Sequence, residues 1–178
     1  MNYLISLFLI ISSALSGTLP LLPLQEIASE KAGFNEQEIT LTGTVKIVHE
    51  MGILRCHNAI LLLPQNSSEQ DRLFADTIHL SKNVQIAFTD GSHIIADRAE
   101  IDCHSLQATF YGTPFEQVIY TTTAGSSHVP VQVKGHKLVA RIVKKLEGYT
   151  LHALHGEGAV NIEYTSHPFS KQVRNHTP

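Results

Sequence analysis

The chain has 178 residues, enough for one domain with a substantial core and short for two. Apolar residues make up 43% and charged residues 16%, which excludes a mostly disordered chain. A formal net charge of −3 and the absence of Trp argue against a nucleic-acid binder, which needs cations for phosphates and rings for bases.

From the N-terminus, Tyr3 to Leu15 is an almost unbroken apolar run ending in Ala14-Leu15-Ser16. Small residues at Ala14 and Ser16 fit a signal peptidase site, so residues 1–16 read as an export signal cleaved after Ser16. A retained membrane anchor and a buried helix are the alternatives, although a spanning helix needs about 20 apolar residues. Residues 17–38 form a lead-in, where Pro20 and Pro23 break any continuing helix. Leu24, Ile27, Ala28 and Ala32 then follow a helical spacing that stops at Gly33, so a short helix is expected.

From Ile39 the period changes to two. Ile39, Leu41, Gly43, Val45 and Ile47 alternate with Thr40, Thr42, Thr44 and Lys46. The alternation returns at Ile78, Leu80, Val84, Ile86 and Phe88, and again from Leu154 to Tyr164. One apolar and one polar face implies antiparallel strands. Asp90-Gly91 lies between two such runs as a hairpin turn, and Met51-Gly52 and Glu147-Gly148 play similar parts. Leu138, Val139, Ile142, Val143 and Leu146 also fit a helical stripe, but their β-branched content favours a strand.

These strands repeat as a unit. Leu41, Val45 and Ile47 match Leu80, Val84 and Ile86 at an offset of 39, which becomes 40 where Leu54 matches Ile94. Parts return at Gly135, Leu138 and Ala140, and at Gly158, Val160 and Ile162. A unit that cannot cover its own apolar face must stack on its neighbours, which makes one continuous apolar seam.

The pattern Val84-Gln85-Ile86, Asp90-Gly91, then Ala96-Asp97-Arg98-Ala99-Glu100-Ile101-Asp102, continued by Ala108, Phe110 and Gly112, carries a family resemblance. It resembles the OstA-like domain of the lipopolysaccharide-transport proteins, the LptA/LptC family and the periplasmic domain of LptD. Gly43-Thr44 and Lys82-Asn83 each keep half of that family's Gly-Asn dipeptide, and Gly158-Ala159 lacks its Asn. The resemblance covers residues 39–164 and leaves 165–178 as a C-terminal tail. It implies an all-β, twisted antiparallel jelly roll folded like a taco, here with the short N-terminal helix added.

The resemblance also implies a function: a periplasmic protein carrying lipopolysaccharide, whose lipid A acyl chains lie in an apolar groove. The groove residues would be Ile39, Leu41, Val45, Ile47, Ile78, Leu80, Val84, Ile86, Phe88, Ile94, Ala96, Ile101, Val160 and Ile162. Gly156 and Gly158 would leave room near one end. Family partners join by strand addition at exposed sheet edges. From the residues alone, the same side chains read first as the dry core of a sandwich. The alternative function is a non-catalytic structural sandwich that joins envelope proteins by edge-strand pairing. Lys134, Lys137 and Arg141 could form a phosphate-binding rim or a solvated strand face.

Catalysis, metals and cofactors find little support. Eleven histidines are scattered, and the pair His152 and His155 sits on a strand, where residues three apart face opposite ways. Ser126, Ser127 and His128 share a loop without a nucleophile elbow. Asp97, Glu100 and Asp102 read as the wet side of a strand or turn. Cys56 and Cys103 fall at different strand positions and read as buried free thiols.

Overall fold

The stretches of period two at 39–47 and 78–88 become strands. The one expected from Leu154 to Tyr164 breaks at residues 158–160, where Gly158 takes φ 89°, into the end of one strand and the whole of another. The computed structural model describes residues 24–64, 75–124, 129–145 and 148–164. The expected signal at 1–16 and the tail at 165–178 lie outside them. Among the described residues there are twelve strands. They are β1 (Leu24–Ala28), β2 (Lys31–Phe34), β3 (Glu38–His49), β4 (Gly52–Leu62), β5 (Thr77–Phe88) and β6 (His93–Asp102). After these come β7 (Gln107–Tyr111), β8 (Val118–Ala124), β9 (Val129–Gly135), β10 (Lys137–Lys145), β11 (Gly148–Glu157) and β12 (Asn161–Tyr164).

The expected short helix is not formed. Its residues make β1 and β2, which pair antiparallel with opposite halves of β3: Ile27 opposite Ile47, and Ala32 opposite Leu41. Two turns of helix are marginal in water, whereas these segments satisfy the open backbone edge of β3. Glu26 meets Lys46 at 3.2 Å across the pairing. Among the described residues the sheet therefore already includes Leu24, ahead of the domain start expected at Ile39. Residues 138–145 of the ambiguous segment lie in the strand β10, and Leu146 lies outside the described residues.

Strands β3 to β6 are long, and a line of irregular residues crosses them. Pairing jumps between Thr42 and Val45 in β3, between Arg55 and Asn58 in β4, and between Ser81 and Val84 in β5. An extra residue in a ladder bends the strand and sharpens its twist. Gly43 (φ 97°), Lys82 (φ 64°) and Asn83 (φ 56°) supply left-handed backbone on this line. These are the positions of the partial Gly-Asn dipeptides noted above.

The bend gives two facing layers that share four strands. In the first, β2 precedes the N-terminal half of β3, and the C-terminal half of β6 pairs with β7, followed by β10 and β11. In the second, β1 precedes the C-terminal half of β3, and the N-terminal half of β6 pairs with β8, followed by β9 and β12. Strand β6 thus forks: residues 98–102 serve one layer and 93–95 the other. This is an antiparallel jelly roll folded on itself.

The inward residues of both layers form one buried cluster that includes Leu41, Leu61, Ile78 and Phe110 from the first and Ile47, Leu54, Ile86 and Ile94 from the second. At the β5–β6 turn, Gly91 takes φ 83° and Asp90 Oδ1 accepts the Ser92 N–H at 2.9 Å.

Candidate functional site: the seam between the layers

Alternation along each strand decides which side chains enter the seam, and the register of neighbours stacks them in rows. One row runs Ile47, Leu54, Ile86, Ile94 and Tyr120; another runs Leu41, Ala59, Leu80, Ala99 and Phe110. Of the residues expected to line a groove, Leu41, Val45, Ile47, Ile78, Leu80, Val84, Ile86, Phe88, Ile94, Ala96 and Ile101 are all buried in the cluster. Ile39 packs partly buried against it. Val160 and Ile162 differ, at 44% and 52% exposed.

These two lie at the margin formed by the last strands of the two layers. Among the described residues, β11 of the first layer and β12 of the second each pair with one neighbour only. Between them lie Leu154 and Val133, partly buried against the core, with Ile162 opposite Val133. Gly156 does not leave open room there: a Cβ on it would stand 2.6 Å from Val160 Cγ2 and 3.3 Å from Leu138. Val160 fills the glycine notch and leans on the first layer from the turn that leads into the second.

The opposite margin is closed by a strap. Beyond Arg141 the register of β10 shifts, and Ile142 N–H donates to Leu106 C=O at 2.7 Å. The β10–β11 hairpin then crosses to the turns at the far end of the second layer. There Thr89 Oγ1 donates to Tyr149 C=O at 2.9 Å, and Lys144 meets Glu50 at 3.4 Å. Tyr149 is buried beside His49, with ring centroids 6.5 Å apart, and burial raises its phenol pKa. Met51 is sealed nearby, its N–H donating to His49 Nδ1 at 3.1 Å. Sequence reasoning missed Tyr149, because a single aromatic after Gly148 carries no periodic signal.

The expected phosphate rim is not assembled as a unit. Lys134 on β9 pairs with Glu163 at 2.8 Å, and Lys137 on β10 pairs with Glu157 at 3.0 Å. Those carboxylates lie on the adjacent strands β12 and β11, Glu163 diagonal to Lys134 and Glu157 directly opposite Lys137. Arg141 points to the outer face of the first layer with no ion pair among the described residues.

The remaining polar candidates do structural work. Asp102 Oδ1 accepts the N–H groups of His104 and Ser105, each at 2.9 Å, and the Ser105 backbone bond leads the lowering of its pKa. Cys56 and Cys103 are free and buried; desolvation pushes their thiols up to about 11 and about 12. Among the described residues no three metal-ligating side chains come together. Ser126, Ser127 and His128 lie outside those residues.

No family model matches this sequence, and no curated protein does. Among solved structures it is similar to LptH, the LptA homologous periplasmic component of the conserved lipopolysaccharide transport device from Pseudomonas aeruginosa. The TM-score is 0.54 at 8% identity, over 82% of this chain and 96% of that one. The two chains share a fold, the jelly roll that the family resemblance implied.

Proposed function

We propose that this chain is a periplasmic lipid carrier of LptA type, taking the acyl chains of lipopolysaccharide between its two layers and catalysing no reaction. The observation that carries the reading is the exposed apolar margin between β11 and β12. There the apolar seam reaches the surface through Val160 and Ile162, in a fold shared with a component of a lipopolysaccharide transport device. Acyl chains require apolar area and no directional partner, and each methylene removed from water contributes about 0.8 kcal/mol. Seam residues deeper in, from Ile86 to Leu41, become lipid contacts when the layers spread. Strands β1, β2, β11 and β12, which each have a single neighbour among the described residues, offer edges for strand addition to other OstA-like transport proteins.

A second reading is favoured by one observation: the seam is sealed over most of its length, with Ile86 at 1% exposure. On that reading the chain is a structural sandwich that joins envelope proteins by its edges and holds no lipid. Photo-crosslinking in living cells separates the two, with the probe at Ile162, at Ile86 and at the outward control Gln85. Lipopolysaccharide adducts at Ile162 and Ile86 but not Gln85 are expected. A folded protein with adducts at neither inward site would leave the structural reading.

A further inference from the structure

The outer face of the first layer carries a cleft of about 420 Å³ over β7, β10 and β11. Register builds it. Gln107 stands opposite Arg141, which stands opposite Ala153, and Val139 stands opposite His155. Arg141 and His155 therefore share one face as diagonal neighbours, within joint reach of a small ligand. Ala153 places only a methyl group beside the guanidinium, which leaves the hollow. Val139 and Ala153 line it with apolar surface, and Ser105 and Gln107 add polar groups at its margin.

The cations of β10 are unevenly engaged: Lys137 and Lys144 have carboxylate partners at 3.0 and 3.4 Å, and Arg141 has no ion pair among the described residues. Glu157, two residues beyond His155, is held by Lys137. Asp102, opposite Gln107 on β6, is occupied by the N–H groups of its own turn. A fixed guanidinium fork, an imidazole that donates an N–H in either protonation state, and an amide thus converge on a partly apolar hollow. Donors so arranged match a tetrahedral oxyanion, and the guanidinium can hold two of its oxygens at once.

We infer that this cleft binds phosphate, free or as a monoester, with Arg141 as the bidentate donor and His155 and Gln107 as supporting donors. The volume exceeds a bare phosphate and falls within the range of small-molecule sites, so it accommodates the group that carries the ester. The site goes beyond the lipid-carrier reading and does not depend on it. It lies on the other side of the sheet from the seam. Phosphate on a lipid head group is one source, since edge strand β11 turns Leu154 toward the seam and His155 toward the cleft. A soluble phosphate is the other.

The test is an amide NMR titration of the full chain with inorganic phosphate, followed by flotation with phosphatidylcholine vesicles with and without phosphatidic acid. Saturable shifts confined to Gln107, Val139 to Arg141 and Ala153 to His155 are expected. Arg141→Gln weakens binding about tenfold, Arg141→Lys less, and His155→Ala about threefold. Arg55→Gln, an exposed position on the other layer, leaves it unchanged. Shifts that never saturate, spread over the surface or survive Arg141→Gln overturn the site. Retention on phosphatidic acid vesicles that is lost in Arg141→Gln assigns the phosphate to a lipid head group. Phosphate binding without such retention assigns it to a soluble ligand. Failure here leaves the crosslinking test at Ile162 untouched, because the two probes lie on opposite faces.

Discussion

Thr89 and Tyr149, 60 residues apart, exchange two hydrogen bonds: Thr89 Oγ1 donates to Tyr149 C=O at 2.9 Å and accepts the Tyr149 N–H at 3.2 Å. One hydroxyl thereby ties the strap of the first layer to a turn of the second. Thr89→Val keeps the shape and removes both bonds. It should cost about 1–3 kcal/mol, because the Tyr149 amide and carbonyl lose their partner. Tyr149→Ala should cost about 3–5 kcal/mol through the hole it leaves. Urea denaturation followed by circular dichroism gives both values. In Thr89→Val, faster hydrogen exchange confined to the strap would separate a local effect from a global one.

The bulge line makes a prediction of opposite sign at two of its residues. Lys82 holds φ 64°, a conformation that costs a residue with a Cβ about 1–2 kcal/mol. Lys82→Gly should therefore raise stability by about 1 kcal/mol. Gly43→Ala should lower it, since Gly43 has φ 97° and a Cβ there would stand 2.5 Å from the Glu30 side chain. Shifts in the urea midpoint at constant slope would read both changes.

Gly156 holds the margin between β11 and β12 together by having no side chain. Gly156→Ala would drive a methyl group into Val160, with an expected loss of about 1–3 kcal/mol. Because Val160 already lies at the surface, it should swing outward and expose the seam. Binding of a hydrophobic fluorescent dye should rise in this variant well below its denaturation midpoint. Unchanged dye binding would mean that Val160 is not the gatepost of the margin.

The two thiols set a limit at high pH. Burial raises Cys56 to about 11 and Cys103 to about 12, against an ordinary value of 9.0. The unfolded chain loses these protons first, so their contribution is complete below about pH 9 and is lost as pH rises toward 11 and 12. The denaturation midpoint should fall between pH 8 and pH 10, less steeply in Cys103→Ala. An aromatic disulfide reagent at pH 8 should label neither thiol until the protein is unfolded.

The strands were legible because burial on one face writes a period of two, as from Ile39 to Ile47 and from Val84 to Phe88. The turns at Met51-Gly52 and Asp90-Gly91 form, and Glu147 of the third expected turn lies outside the described residues. The misread helix shows where such reasoning stops. Leu24, Ile27, Ala28 and Ala32 do carry a helical spacing, but the partner that decides their conformation is β3, and its open edge is a tertiary fact. The seam residues were legible as inward, since inwardness is local. Whether they are sealed or exposed depends on how β11 and β12 end, which no single strand records. The basic rim dissolved for a related reason: Lys134 and Lys137 found acids on strands 20 to 29 residues away. Arg141 and His155, never paired in sequence reasoning, were brought together by cross-strand register alone.

The four strands shared by both layers have a mechanical consequence. A protein made of two sheets joined by loops could lose one sheet and keep the other. Here β3, β4, β5 and β6 run through the bend, so pulling either layer apart breaks ladders that belong to both. The spine should behave as one cooperative unit whose amides exchange only on global unfolding, while the margins at β1, β2, β11 and β12 breathe around it. Such a body can gape at its lips without coming undone at its back.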